Sequence, residues 1–355
     1  MQCSGQTRRD VTDTTRSTTP MSSPPPCGFT RSLSINHENT TFQCHLVDFQ
    51  ATSSSSTTLV VLIHGAGCTS SSWCMAAQEM ADIFSNSNPS IDANVTVAAF
   101  DMRGHGDTVS SDTKCRPNLS LTKLVEDAVV VTNATIDSLE LDSSTLRVIL
   151  VGHSLGGAIV VRASAAGTIK SEVVGVVVVD LVEGSALASL PHLPTLLANR
   201  PDTFESIEEG IKWSLEARMV NNPSSALHSV PPMLKETEEG IKWRTNLHET
   251  SEWWEEWYMN LSKDFLALPT RTSKLLILAS TDSLDKELMI GQMQGKFQFQ
   301  VVDSAGHSVH EDQPKMFSSL LWRFLLRVTG GAVQIGKIQQ PQSSSSRMFE
   351  TFAKK

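Results

Sequence analysis

Five residues, Gly152-His153-Ser154-Leu155-Gly156, carry the pattern G-x-S-x-G between a β-branched run at 148–151 and a small-residue stretch holding Gly157, Ala158 and Ala163. That pattern predicts a buried strand, a sharp turn and a helix, with one serine held at the apex of the turn. A serine hydroxyl is a weak nucleophile until a base takes its proton, so Ser154 needs a histidine and a carboxylate that orients it. With this elbow the chain order is serine, then acid, then histidine. Of the ten histidines, His307 and His310 follow the last apolar strand, and His307 stands directly after it in Ser304-Ala305-Gly306-His307. His307 is the expected base; His310 reads as a surface or loop-bonding histidine. For the acid, Asp180 and Asp282 each close a strand after the elbow. Generic topology slightly prefers Asp282, with Asp285 and Asp303 weaker. The chemistry open to such a set is acyl transfer through a serine ester.

An oxyanion formed on the way needs two backbone donors. Leu155, the residue after the nucleophile, supplies one N–H. The loop after the first fully apolar strand, His64-Gly65-Ala66-Gly67, supplies the other, with Ala66 as the expected donor. His64 precedes the nucleophile and reads as structural. The turn Asp101-x-Arg103-Gly104-His105-Gly106 reads the same way and is assigned no chemistry. No H-E-x-x-H spacing and no phosphate-binding glycine loop occurs, so no cofactor and no metal site is expected.

The elements that must position these residues alternate. Apolar strands at 59–63, 95–100, 173–179, 274–279 and 297–302 join the strand of the elbow. Helical patterns at 75–84, 121–139 and 315–327 join the helix that follows Ser154. Strand and helix in turn predict an α/β fold: a mostly parallel, twisted sheet with helices on both faces. The stretch 41–50 partly alternates and reads as an edge strand. From 183 to about 268 the pattern changes to short helical pieces with prolines and five of the seven tryptophans, Trp213, Trp243, Trp253, Trp254 and Trp257. The hexapeptide Glu-Glu-Gly-Ile-Lys-Trp occurs there twice, at 208–213 and 238–243, which is too little for a repeat architecture. This span is expected to be a helical cap inserted in a domain of residues 31–328. The Ser/Thr/Pro-rich stretch 1–30 and the Gln/Ser-rich stretch 329–355 read as disordered tails.

Composition narrows the class. A chain of 355 residues with 40% hydrophobic residues can bury a sizeable core. A net charge of −9 argues against nucleic acid and against an anionic membrane surface. The longest apolar run, 173–182, is interrupted by Gly175 and Asp180 and is too short to span a bilayer. Six cysteines without a C-x-x-C pair suit free thiols in a reducing compartment. With no apolar leader at the N-terminus, the N-x-S/T sites at Asn39, Asn94, Asn118, Asn133 and Asn260 read as chance. The compartment expected is the cytoplasm, with the nucleus second.

With these residues placed, the chain from about 41 to 327 resembles the protein phosphatase methylesterases, which are α/β-hydrolases. The resemblance rests on Val151-Gly152-His153-Ser154-Leu155-Gly156-Gly157-Ala158-Ile159, Val179-Asp180-Leu181-Val182-Glu183-Gly184 and Arg200-Pro201-x-Thr203-Phe204. It rests further on Leu284-Asp285-Lys286-Glu287-Leu288-x-Ile290-Gly291-Gln292-Met293-Gln294-Gly295-Lys296-Phe297-Gln298 and Gly306-His307-x-Val309-His310-Glu311-Asp312. The block from Ile290 to Gln298 is far more specific than G-x-S-x-G. The family removes the methyl ester from the C-terminal leucine of the protein phosphatase 2A catalytic subunit. The resemblance implies Ser154 as nucleophile, His307 as base and Asp180 as acid, moving that role from Asp282. It also implies the phosphatase as substrate and partner, docked by the tryptophan-rich cap unless those rings are simply a packed core. Two departures stand out. Leu155 replaces the methionine of animal members, and their long acidic insertion shrinks to Lys235-Glu236-Thr237-Glu238-Glu239. The rival readings are a general serine esterase acting on small esters and a docking protein that works by binding.

Overall fold

The hairpin that opens the sheet has two unlike faces: Ile35, Phe42, Cys44 and Leu46 enter the main core, while Ser32 pairs with His45 and Ser34 with Gln43 across the other. The computed structural model describes residues 25–51, 56–86, 94–112, 115–140, 145–281 and 284–330. In it β1 (Arg31–His37) and β2 (Thr40–Phe49) run antiparallel. Arg31 Nε donates to Asp48 Oδ2 at 2.9 Å, and Ser32 Oγ lies 2.8 Å from His45 Nδ1. The strand expected at the sheet edge, 41–50, is therefore internal. β1 covers it, a short strand in which Leu33 and Ile35 alternate with Ser32, Ser34 and Asn36. Residues 25–30 belong to the fold as well: Phe29 is buried and Thr30 N–H donates to Leu46 O at 2.8 Å. The remainder of the expected tails, 1–24 and 331–355, lies outside the described residues.

The chain then alternates. β3 (Thr57–Ile63), buried at every position, leads through α1 (Cys74–Asn86) to β4 (Asn94–Phe100) and a short β5 (Val109–Ser110). α2 (Leu121–Ser138) returns it to β6 (Leu146–His153), and α3 (Leu155–Ala166) to β7 (Glu172–Val179).

After β7 the chain leaves the sheet. It forms α4 (Glu183–Ser189), α5 (Leu193–Ala198), β8 (Thr203–Phe204), α6 (Ile207–Glu216) and α7 (Pro223–Ser229). β9 (Leu234–Thr237), β10 (Gly240–Trp243), α8 (Trp254–Tyr258) and α9 (Leu261–Ala267) follow. The insertion is thus not purely helical: β8, β10 and β9 make a small antiparallel sheet in that order. Phe204, Val220, Ala226, Val230 and Leu234 form a core of its own.

β11 (Ser273–Leu278) re-enters the main sheet, followed by α10 (Lys286–Met293), β12 (Gln298–Val301), α11 (Val309–Asp312) and α12 (Pro314–Thr329). The strand order is β1-β2-β4-β3-β6-β7-β11-β12, parallel from β4 onward, with β5 on β2. Parallel strands buried on both faces explain the continuous Val/Ile/Leu runs. One face packs on Leu124, Val131, Ile159, Trp257 and Phe265; the other packs on Trp73, Met80, Phe317 and Phe324. Among the described residues no helix is long and apolar enough to cross a membrane.

Candidate active site

Ser154 stands between β6 and α3 at φ 50°, ψ −122°, a left-handed conformation that strains a residue with a side chain. The flanking glycines are dictated by close approach. A Cβ on Gly152 would lie 2.1 Å from Gly156 O, and one on Gly156 would lie 2.2 Å from Ile63 O. Ser154 N–H donates to Val179 O at 3.0 Å, fastening the apex to the end of the next strand.

One residue beyond that strand end, Asp180 also takes positive φ, 49°. Its Oδ1 accepts the Ala279 N–H at 2.9 Å, and its Oδ2 accepts the His307 Nδ1–H at 2.8 Å. Burial pushes the Asp180 carboxyl up, but the His307 bond and charge and the Ala279 N–H outweigh it and hold the group below its ordinary value. The bond fixes the His307 tautomer, leaving Nε2 to act as base. The His307 ring is half-exposed and edges the same cavity of about 350 Å³ that holds Ser154, Asp180 and Ala66. Asp282 lies outside the described residues. Asp285 caps α10 through Leu288 N–H at 2.9 Å, and Asp303 is exposed.

Leu155 opens α3, where first-turn N–H groups have no partner within the helix. The loop of Ala66 lies against the nucleophile, since a Cβ on Gly65 would stand 3.2 Å from the Ser154 Cβ. The structure therefore brings Ser154, Asp180, His307, Ala66 and Leu155 to one spot. A hydrogen bond there joins His307 to Asp180. Among the described residues none joins Ser154 to His307, an arm that commonly tightens only when substrate is bound.

Comparison with known proteins agrees with this geometry. The profile of the alpha/beta hydrolase family matches residues 60–320. Protein phosphatase methylesterase 1 of Schizosaccharomyces pombe is 40% identical over 267 residues, 75% of this chain and 74% of that protein. The Aspergillus oryzae protein of the same name is 38% identical over 299 residues, 81% of this chain and 67% of its own length. This chain belongs to the protein phosphatase methylesterase family. Among solved structures, E-2-(acetamidomethylene)succinate hydrolase superposes with a TM-score of 0.62 at 19% identity, over 83% of this chain and 98% of its own.

In this methylesterase-family chain, several residues build the site that the sequence left without a role. Tyr258, the chain's single tyrosine, lines the cavity beside Ser154; burial pushes the phenol up to about 12 and keeps it neutral. His153 Nε2–H donates to His307 O at 2.9 Å, and burial holds the ring neutral. His105 Nε2 accepts the Gly67 N–H at 3.0 Å, bracing the loop of Ala66. His64 is structural as expected, accepting Met102 N–H at 3.0 Å. No pattern announced these contacts, because each joins loops far apart in sequence.

His310 is a correction. It is neither a surface nor a loop-bonding histidine: the ring is wholly buried, with no hydrogen-bond partner at either nitrogen among the described residues. It is centred 3.9 Å from Trp73 and 4.7 Å from His153, and burial pulls its pKa down to about 3. The reason is α11, a single turn that folds this segment under the His307 loop. Asp312 at its end accepts Gly306 N–H and both Asn221 N–H and Asn221 Nδ2, each at 2.6 Å. Ser308 Oγ donates to Met219 O at 3.1 Å, and Ser225 Oγ to Glu311 O at 2.7 Å. The segment of His307 is thereby tied to the insertion.

The tryptophans divide. Trp257 and Trp254 are core, with Nε1–H bonds to Leu119 O and Thr250 Oγ1, both 2.8 Å; Trp253 lies under the Arg116 guanidinium at 4.7 Å. Among the described residues one cluster has metal-like spacing, His37, Glu38 and Glu126. Its centre is taken by Lys123 Nζ, which donates to both carboxylates at 2.8 and 3.1 Å.

Proposed function

We propose that this chain is a serine carboxylesterase that demethylates the C-terminal leucine methyl ester of the protein phosphatase 2A catalytic subunit. The observation that carries the reading is the Asp180–His307 pair beside Ser154 on its strained elbow, in one cavity of a methylesterase-family chain.

Ser154 Oγ attacks the ester carbonyl while His307 Nε2 takes its proton. Asp180 holds the ring by Nδ1 and stabilises the imidazolium. The Ala66 and Leu155 N–H groups carry the oxyanion. The C–OCH3 bond then breaks, and His307 returns the proton to the departing methoxide, so methanol leaves. Water, deprotonated by His307, opens the acyl-serine and regenerates Ser154 with a free leucine carboxylate.

The test is methanol release from carboxyl-methylated phosphatase catalytic subunit, alongside turnover of a short nitrophenyl ester. Wild type is expected to act on both and Ser154→Ala on neither. Turnover of the short ester without demethylation would replace this reading by a general esterase. Tight binding with no turnover of either would replace it by a docking protein.

A further inference from the structure

A second, larger cavity of about 720 Å³ opens beside the first and shares Leu197 and Leu247 with it as common wall. Its character differs. On a chain of net charge −9, it gathers Arg116, Arg200, Lys235, Lys242 and Arg244. Three carboxylates, Asp202, Glu239 and Glu249, also line it, but the pairings leave some cations over. Arg116 pairs with Glu252, Arg244 with Asp107 at 3.1 Å, and Lys242 with Glu239.

Arg200 and Lys235 have no carboxylate partner among the described residues. The Arg200 guanidinium lies 3.5 Å over the Trp243 ring, and its Nε is buried with no hydrogen-bond partner. Burial draws its pKa down to about 10, a sign of a cation kept out of water without a counter-charge. Lys235 stands directly opposite Lys242 in the β9–β10 pairing, and Thr203 stands opposite Lys242 on the other side, in β8. All three line the cavity. Like charges facing each other across strands destabilise a sheet; Glu239 offsets Lys242, but Lys235 has no such partner among the described residues. The Arg200 guanidinium beside that row, half-buried and without a carboxylate partner among the described residues, has the fork geometry for a carboxylate or a phosphate.

We propose that this cavity is a peptide subsite continuous with the catalytic pocket. It takes an anionic side chain, a carboxylate or a phosphate ester, that precedes the esterified C-terminal residue of the substrate, with Arg200 and the Lys235–Lys242 row as its ligands. The proposal rests on the esterase reading above and adds to it a substrate class: acidic or phosphorylated C-terminal peptides.

The experiment compares short peptides ending in leucine methyl ester, with Asp, Asn or phosphoserine at the residues upstream, on wild type, Lys235→Glu and Arg200→Gln. Wild type is expected to show a KM about tenfold lower for the Asp or phosphoserine peptide than for Asn, a preference worth one charge-assisted contact. The ratio of the two anionic peptides names which anion fits. Lys235→Glu, an exposed position that leaves the fold alone, is expected to abolish the preference without changing turnover of a short nitrophenyl ester. Equal KM values for Asp and Asn in wild type, or a preference that survives Lys235→Glu, would overturn the subsite. If no peptide ester is hydrolysed but the short nitrophenyl ester is, the esterase reading stands and the peptides are too small a substrate; if neither is hydrolysed, the esterase reading has failed instead. The subsite is then decided by fluorescence anisotropy of the corresponding C-terminal amides on Ser154→Ala: Asp-over-Asn selectivity lost in Lys235→Glu supports it, and equal binding overturns it.

Discussion

Asp180 and His307 stand 127 residues apart in the chain and meet at 2.8 Å, Oδ2 to Nδ1. Each owes its place to a different strand end: Asp180 to β7, with its second oxygen pinned by Ala279 after β11, and His307 to the loop after β12. Because the bond both orients the ring and balances the charge that forms on it, Asp180→Asn should fold normally. It should lower kcat on a nitrophenyl ester by about 10³–10⁴-fold. A loss under tenfold would reassign the acid, with Asp282 the first replacement to test by the same assay.

Glu311 gives a pH dependence of stability. It is wholly buried with Oε2 unpartnered, and burial pushes its pKa up from 4.5 to about 8. The folded chain keeps this proton after the unfolded chain has lost it. Stability from this group is therefore full below the unfolded value and falls as pH rises through about 8. Thermal unfolding followed at about pH 6 and about pH 8.5 should show Tm dropping by several degrees in wild type. Glu311→Gln, neutral at both, should drop less. An equal drop in the variant would mean the carboxyl is ionised in the fold.

Tyr258 lines the cavity of the nucleophile but has no place in the proton path from Ser154 to His307. Tyr258→Phe should thus retain kcat/KM on a short ester to within about tenfold. A fall of more than tenfold would show that the phenol takes part in the chemistry.

What could be read from sequence was what local physics dictates. The elbow was legible because two close backbone approaches forbid any side chain at Gly152 and Gly156, and His307 because it directly follows a strand end. The acid was not decided by pattern, since two aspartates end strands; the family resemblance chose Asp180, and Asp180 is the one found on His307. β1 was missed because Leu33 and Ile35, its two apolar residues in seven, are a weak strand signal, and their partners Cys44 and Phe42 lie across the hairpin. The duplicated hexapeptide shows the limit most plainly. Residues 208–213 lie in helix α6, whereas 238–243 make the turn and strand β10. Their tryptophans, Trp213 and Trp243, end 5.8 Å apart, edge to face, beside Phe204. Six identical residues took two conformations because packing within the insertion outweighs local propensity.

The hydrogen bonds from Asp312, Ser308 and Ser225 to and from the stretch 219–225 have a further consequence. The nucleophile belongs to the rigid centre of the parallel sheet, but the base is moored to an insertion with a small core of its own. The two halves of the catalytic machinery therefore sit in regions of unequal opening free energy. As denaturant or temperature rises, the insertion should loosen first and draw the histidine out of line while the sheet still stands. Inactivation then precedes global melting, and the amide protons of 219–225 and 306–312 exchange together as one cooperative unit.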